Sequence, residues 1–274
     1  MCLKHGGAGT CASGDDSPAL GRRAMMTALA GVSGLALAGC TTGLDLAKSV
    51  PNVVSPQQEV QLGVEQWQRI RQEEPVSQNA GMQNALKTVG SRLLAAAGEN
   101  PADWEMVVFA SEEANAFALP GGKIGVYEGI FRYMDNDAQL AAVVGHEIGH
   151  NQARHAARRL STSAATDLGV QTIGALLSVG NVAYANEIAG LLGVGAQYGI
   201  ILPYSRDQEL EADRIGLILM ARAGYDPREA LAFWQNMESA GARSPEFAST
   251  HPAPASRIAQ LESLLPEALA IYQS

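Results

Sequence analysis

A chain of 274 residues with 47% hydrophobic content can fill one well-packed core or two small ones. Its net charge of −9 argues against nucleic acid as a partner, because neutralising phosphates needs clustered lysine and arginine. Cys2, Cys11 and Cys40 all precede the body of the chain, leaving no downstream disulfide and no cysteine-type zinc site, so a metal must be held by histidine and carboxylate.

The run GRRAMMTALAGVSGLALAGC has a basic start at Arg22 and Arg23 and a short apolar stretch from Ala24 to Ala38. That is the form of a secretory signal, too short for a membrane-spanning helix. Its end, Leu37-Ala38-Gly39-Cys40, resembles the bacterial lipobox, whose cysteine is lipidated and becomes the new N-terminus. The expected organisation is a signal peptide over 1–39 with an upstream extension over 1–21, lipidated Cys40 and a tether over 40–56, and a single domain over 57–274. Thr41 and Thr42 lack the aspartate that favours inner-membrane retention, which resembles an outer-membrane address facing the periplasm.

Apolar positions Val60, Val64, Trp67 and Ile70 predict a helix over 57–71. Met82, Leu86, Val89, Leu93 and Leu94 predict a second over 79–97, stopped by Gly98. The period then changes. WEMVVFAS reads as a strand, and NAFALPGGKIGVYEGI as two strands about a Pro-Gly-Gly turn. Asn136 to Gln139 fits a capping box that opens a helix running to about Leu160. Residues 161–203, rich in Ala and Gly, are expected to pack as helices over the active-site face rather than to form a membrane hairpin. Ser205 to Gln208 opens a helix to Ala223, with Gly224 as its C-terminal stop. Asp226 to Glu229 opens another, and a helix from Pro252 to about Tyr272 ends the chain.

The chemistry centres on VVGHEIGHNQARH. On a helix His146 and His150 lie about 40° apart and one turn apart in height, so both imidazoles can face one ion. Glu147, about 60° from His150, is placed as a general base rather than a ligand. Gly145 and Gly149 each cost about 1 kcal/mol in a helix interior, which suggests close approach of another backbone. His155, about 140° from His150 on a continuous helix, is expected at the surface.

A catalytic zinc needs a third protein ligand and an open position. That leaves His251 or a carboxylate. The best carboxylate is in SRDQELEADRIG, where Glu209 and Asp213 share a face and Glu211 points to the opposite side. Asp213 is then placed to accept the second N–H of a ligating histidine. His251 and Arg257 are the candidate donors to an oxyanion, His251 being a poor N-cap before Pro252.

H-E-x-x-H followed by Glu209 and Asp213 in an SR…E…AD helix is similar to the M48 metallopeptidases, a gluzincin family. NAFALPGGKIGVYEGI before the first motif and STHPAPASRI after the second agree with the family's order. The resemblance implies an α+β, mostly helical, zincin-like metallopeptidase domain with a small β-sheet beside the HExxH helix. It implies one zinc per chain, Glu209 as third ligand and a cleft lined by Asn115, Ala116, Phe117, Ala118 and Leu119. In some members the histidine at 251 occupies the fourth zinc position at rest. The implied function is a zinc endopeptidase acting on misfolded or misassembled envelope proteins, of the lipoprotein type without C-terminal TPR repeats. The alternative is a zinc-stabilised lipoprotein that assists assembly without cleavage.

Overall fold

Helix α1 (Pro56–Glu73) starts at a full capping box, in which the Ser55 hydroxyl accepts from the Gln58 N–H and the Gln58 side chain accepts from the Ser55 N–H. The computed structural model describes residues 54–164, 185–194, 202–239, 247, 250–251 and 255–274. All of them belong to one unit, Asp45–Ser274. The signal peptide, Cys40, most of the tether and much of 161–203 lie outside the described residues. No helix among the described residues is long and apolar enough to cross a membrane.

Helix α2 (Ala80–Ala96) is capped by Asn79, and Gly98 ends it with φ +79°. Three strands follow: β1 (Glu105–Phe109), β2 (Ala116–Leu119) and β3 (Lys123–Tyr127). The sheet order is β1-β3-β2. β2 and β3 form the expected antiparallel hairpin, with Gly121 and Gly122 at φ +85° and +73° in its turn. β1 pairs parallel to β3, Glu105 opposite Lys123 through Phe109 opposite Tyr127.

Both faces of this small sheet are covered, and the alternation along the strands sorts side chains between two cores. Val107, Phe109, Phe117, Leu119 and Tyr127 join Trp67 and Ile70 of α1. Val108, Ala116, Ile124 and Val126 join Leu86, Val89 and Leu93 of α2 and the apolar side of the next helix. The sheet therefore lies between α1 on one face and α2 with the next helix on the other.

That next helix is α3 (Asp137–Gln152). Asn136 caps it by accepting from the Ala138 and Gln139 N–H groups at 2.9 and 3.1 Å. Gln139 reaches back to the Asp135 N–H rather than to that of Asn136, so the expected capping box is displaced by one residue. The helix does not run on to Leu160. It stops at Ala153, Arg154 turns into the left-handed region with φ +52°, and α4 (His155–Ala164) begins in a new direction. Glu59 of α1 holds this turn, accepting a 2.8 Å hydrogen bond from Arg154 Nε.

α5 (Ala185–Leu191), α6 (Arg206–Arg222), α7 (Glu229–Ser239) and α8 (Ala255–Tyr272) complete the described elements. Ala189, Leu191, Leu192 and Val194 pack into the core that contains α1 and Leu160. α3 and α6 cross closely. A Cβ built on Gly149 would lie 2.8 Å from the Ala212 carbonyl oxygen, and one on Gly216 would lie 3.0 Å from the His146 nitrogen. The glycines flanking the histidines are thus what lets the two helices approach.

Candidate metal centre

The α3–α6 crossing brings His146 and His150 against Glu209. His146 Nε2 lies 2.9 Å from His150 Nε2 and 3.5 Å from Glu209 Oε2, and His150 Nε2 lies 3.4 Å from Glu209 Oε1. His251 adds a fourth group, its Nδ1 being 3.2 Å from His146 Nε2 and 3.1 Å from Glu209 Oε1. All four side chains are buried, and one donor atom from each lies within 4.8 Å of the others. Tetrahedral zinc with ligands at about 2.0–2.1 Å has its donor atoms about 3.3 Å apart. The observed separations bracket that value. Two imidazole nitrogens and a carboxylate, with a third imidazole beside them, are the donor types that zinc takes, so the donor set fits zinc in chemistry as well as in size.

Burial and neighbouring charges shift the ionisation of the cluster in opposite directions. Burial and the Arg257 charge oppose a positive His146, yet its hydrogen bonds to Asp213 and Glu209 outweigh them and raise it to about 9. His150 is driven well below the usual histidine range by burial and by the neighbouring His146 charge. Burial raises Glu209 too, but His251 and Arg257 overcome this and hold its carboxyl well below the usual range. A carboxylate held anionic and an imidazole held neutral are the forms of Glu209 and His150 that can donate to a cation.

A ring of supporting groups surrounds the donors. Asp213 Oδ1 lies 2.9 Å from His146 Nδ1, in the place expected for the partner of a ligating histidine. Arg257 is buried in the cluster. It donates through Nε and Nη2 to the two oxygens of Asp213 at 2.9 and 2.7 Å, and its Nη1 lies 2.6 Å from Glu209 Oε2. Its guanidinium stacks 4.3 Å above the Trp234 ring. Its Nη2 also lies 3.1 Å from His146 Nδ1.

Glu147 is buried, and its Oε1 accepts no hydrogen bond; His251 Nε2 stands 3.4 Å away. Burial pushes its carboxyl above the usual range. His251 is not an N-cap: its own N–H donates to the Phe247 carbonyl at 2.8 Å, placing it in a turn that delivers the ring to the metal donors. Tyr204, which sequence reasoning missed, lies against both histidines, with ring centroids 3.9 Å from His150 and 5.2 Å from His251. Burial pushes its phenol up to about 12. Its position directly before the Ser205 cap of the Glu209 helix was the available signal.

His155 is the main correction. It is 0% exposed rather than at the surface. Its Nδ1 lies 2.8 Å from His150 Nδ1 and its Nε2 3.1 Å from Glu211 Oε2. The phase argument assumed one continuous helix, and the Arg154 turn breaks that phase. Glu211 meets α4, with Arg158 Nη1 at 2.7 Å, and is not among the four grouped donors. Burial lowers His155 to about 4, so the ring is neutral.

β2 is an edge strand of the sheet and packs beside α3. The side chains of Asn115, Ala116, Phe117 and Leu119 are buried, and Phe117 stacks on Phe109 with centroids 6.3 Å apart. Of the segment 115–119, Ala118 alone keeps a partly exposed side chain, so the strand offers its backbone more than its side chains.

Comparison with known proteins adds the following. The model of peptidase family M48 matches residues 81–265. The mitochondrial metalloendopeptidase OMA1 of Schizosaccharomyces pombe is 37% identical over 186 residues, which cover 67% of this chain and 53% of that protein. The beta-barrel assembly-enhancing protease of Escherichia coli K12 is 31% identical over 223 residues, 78% of this chain and 45% of that protein. The mitochondrial metalloendopeptidase OMA1 of Bos taurus is 33% identical over 229 residues, 78% and 43% respectively. The chain spans about half the length of these relatives. The matched range takes in the β-sheet, both helices of the donor cluster, His251 and Arg257, and the chain belongs to peptidase family M48.

Proposed function

We propose that this chain is a zinc endopeptidase, holding one zinc through His146, His150 and Glu209 and hydrolysing polypeptides of the cell envelope. The observation that carries the reading is Glu147, a buried carboxylate without a hydrogen-bond donor on Oε1, beside a donor set of zinc dimensions. A metal that only held an assembly factor together would have no use for it.

Zinc, when bound, supplies Lewis acidity at the scissile carbonyl and makes water easier to deprotonate. Glu147 takes the proton from the attacking water and delivers it to the leaving nitrogen. Its raised proton affinity suits a group that must both accept and release. Asp213 fixes the ring of His146, and Arg257 holds Asp213 and Glu209 in place rather than acting on the oxyanion. The backbone edge of β2, residues Asn115 to Leu119, pairs with an extended substrate and sets its register.

His251 is read as a plug. Its Nδ1 stands among the donors at the corner that water and substrate need, and it must leave for turnover. Cys40 is read as the lipidated anchor of a periplasm-facing protein on the outer membrane. The lipobox-like Leu37-Ala38-Gly39-Cys40 supports the anchor. Similarity to a protein named beta-barrel assembly-enhancing protease supports misfolded or misassembled envelope proteins as substrates and partners. The test is metal analysis together with casein cleavage by the full chain purified in detergent, wild type beside Glu147→Gln. Bound zinc with no cleavage by wild type would sink the peptidase reading and favour the assembly factor.

A further inference from the structure

We propose that His155 and Glu211 are positioning residues that fix the tautomer and orientation of His150 as a metal ligand. The proposal rests on the reading of His150 Nε2 as the ligand atom.

The geometry allows one proton arrangement. If His150 gives its Nε2 lone pair to a metal, its proton is on Nδ1. That proton points at His155 Nδ1, 2.8 Å away, which must then be the acceptor. His155 therefore carries its own proton on Nε2, and this faces the Glu211 carboxylate at 3.1 Å. Each donor meets an acceptor, and no ring nitrogen is left to choose. Reversing either histidine would set two N–H groups or two lone pairs against each other. Asp213 does the same for His146 through a single hydrogen bond. For His150 the carboxylate is one imidazole further out, on the same helix as Glu209.

Two observations outside the relay show that it is built. The first is the turn. Arg154 is the non-glycine residue in the left-handed region among the described residues, a conformation that L side chains disfavour. It persists because Glu59, only 5% exposed, accepts from Arg154 Nε, and the turn is what swings His155 onto the His150 face. The second is anchoring. Arg158, one turn along α4, also binds Glu211 Oε2 at 2.7 Å, so the carboxylate is fixed before it meets the histidine.

Outer partners of ligating histidines change metal affinity by about 10–100-fold when removed. The experiment measures zinc affinity by competition with a chelator, the absorption spectrum of the cobalt-loaded protein, and thermal unfolding of the zinc-free protein. His155→Phe fills the site without a polar atom and is expected to weaken zinc binding by about 10–100-fold and alter the cobalt spectrum. Glu211→Ala, at a half-exposed position that should not endanger folding, is expected to weaken zinc measurably but less than His155→Phe, because it is one group further from the metal. Glu211→Gln, which still accepts from His155, should recover most of that loss. If His155→Phe does not fold, the two Glu211 variants carry the test. Wild-type zinc affinity and spectrum in Glu211→Ala would overturn the relay, as would a lower unfolding temperature with unchanged affinity, the mark of a merely structural contact. His150→Ala separates the levels. If it keeps full zinc affinity, His150 is not a ligand and the underlying reading falls with the relay. If it loses zinc while both outer variants do not, only the relay falls.

Discussion

Gly149 and Ala212 meet backbone to backbone where the two ligand-bearing helices cross, with room for no side chain between them. Gly149→Ala would press a methyl carbon to within 2.8 Å of a carbonyl oxygen. Overpacking of this kind costs about 1–3 kcal/mol. The helices must part, and the distance from His150 to Glu209 must grow with them. Denaturant unfolding of the variant is expected to show a lower midpoint, and chelator competition a weaker hold on zinc. An unchanged midpoint would mean that the crossing has slack.

Glu147→Gln removes the base and keeps its shape. Because Glu147 is not among the four donor groups, zinc content should stay at one per chain while peptide cleavage falls by about 10²–10⁴-fold. Loss of zinc together with activity would make Glu147 a ligand instead.

His146→Ala and Glu209→Ala should each strip the metal. Asp213→Asn is the finer probe. It leaves the donors intact but weakens the partner of His146 Nδ1, so affinity should drop by about 10–100-fold without abolishing binding. Equal zinc loss in Asp213→Asn and His146→Ala would show that the aspartate is more than a support.

His251→Ala distinguishes two roles in one variant. As a plug, its removal should loosen zinc yet speed cleavage of small peptides. As an oxyanion donor, its removal should cut the rate by about 10²-fold or more with zinc unaltered. Peptide kinetics and metal analysis of the same preparation decide between them.

Cys40→Ser should release the protein from membranes into a high-salt wash. No helix among the described residues is long and apolar enough to cross a membrane. Retention after the wash would call for an anchor elsewhere in the chain.

Much of this site can be read in the amino-acid order because its signals are local. Ser205, four residues before Glu209, announces α6 together with Gln208, and the spacing of His146 and His150 sets their common face. The hairpin of β2 and β3 follows from two glycines at positive φ. What was hidden depends on distant partners. Neither Ala153 nor Arg154 looks like a helix stop, and the break between α3 and α4 needs a glutamate from α1. The burial of His155 and the relay through Glu211 follow from that break. The parallel pairing of β1 with β3 likewise leaves no mark in either strand. Arg257 was recognised as a site residue, but its orientation is set by Trp234 and two carboxylates on another helix.

The donor groups come from α3, α6 and the turn at His251, so an ion at their centre would tie together segments far apart along the chain. An unfolded chain cannot present that set, and an ion that binds only the assembled form draws the population toward it by mass action. At free zinc a hundredfold above the dissociation constant this is worth about 2.7 kcal/mol, a sizeable part of the stability of an ordinary domain. Zinc supply would then govern how long the protein survives among other proteases, as well as whether it can cut.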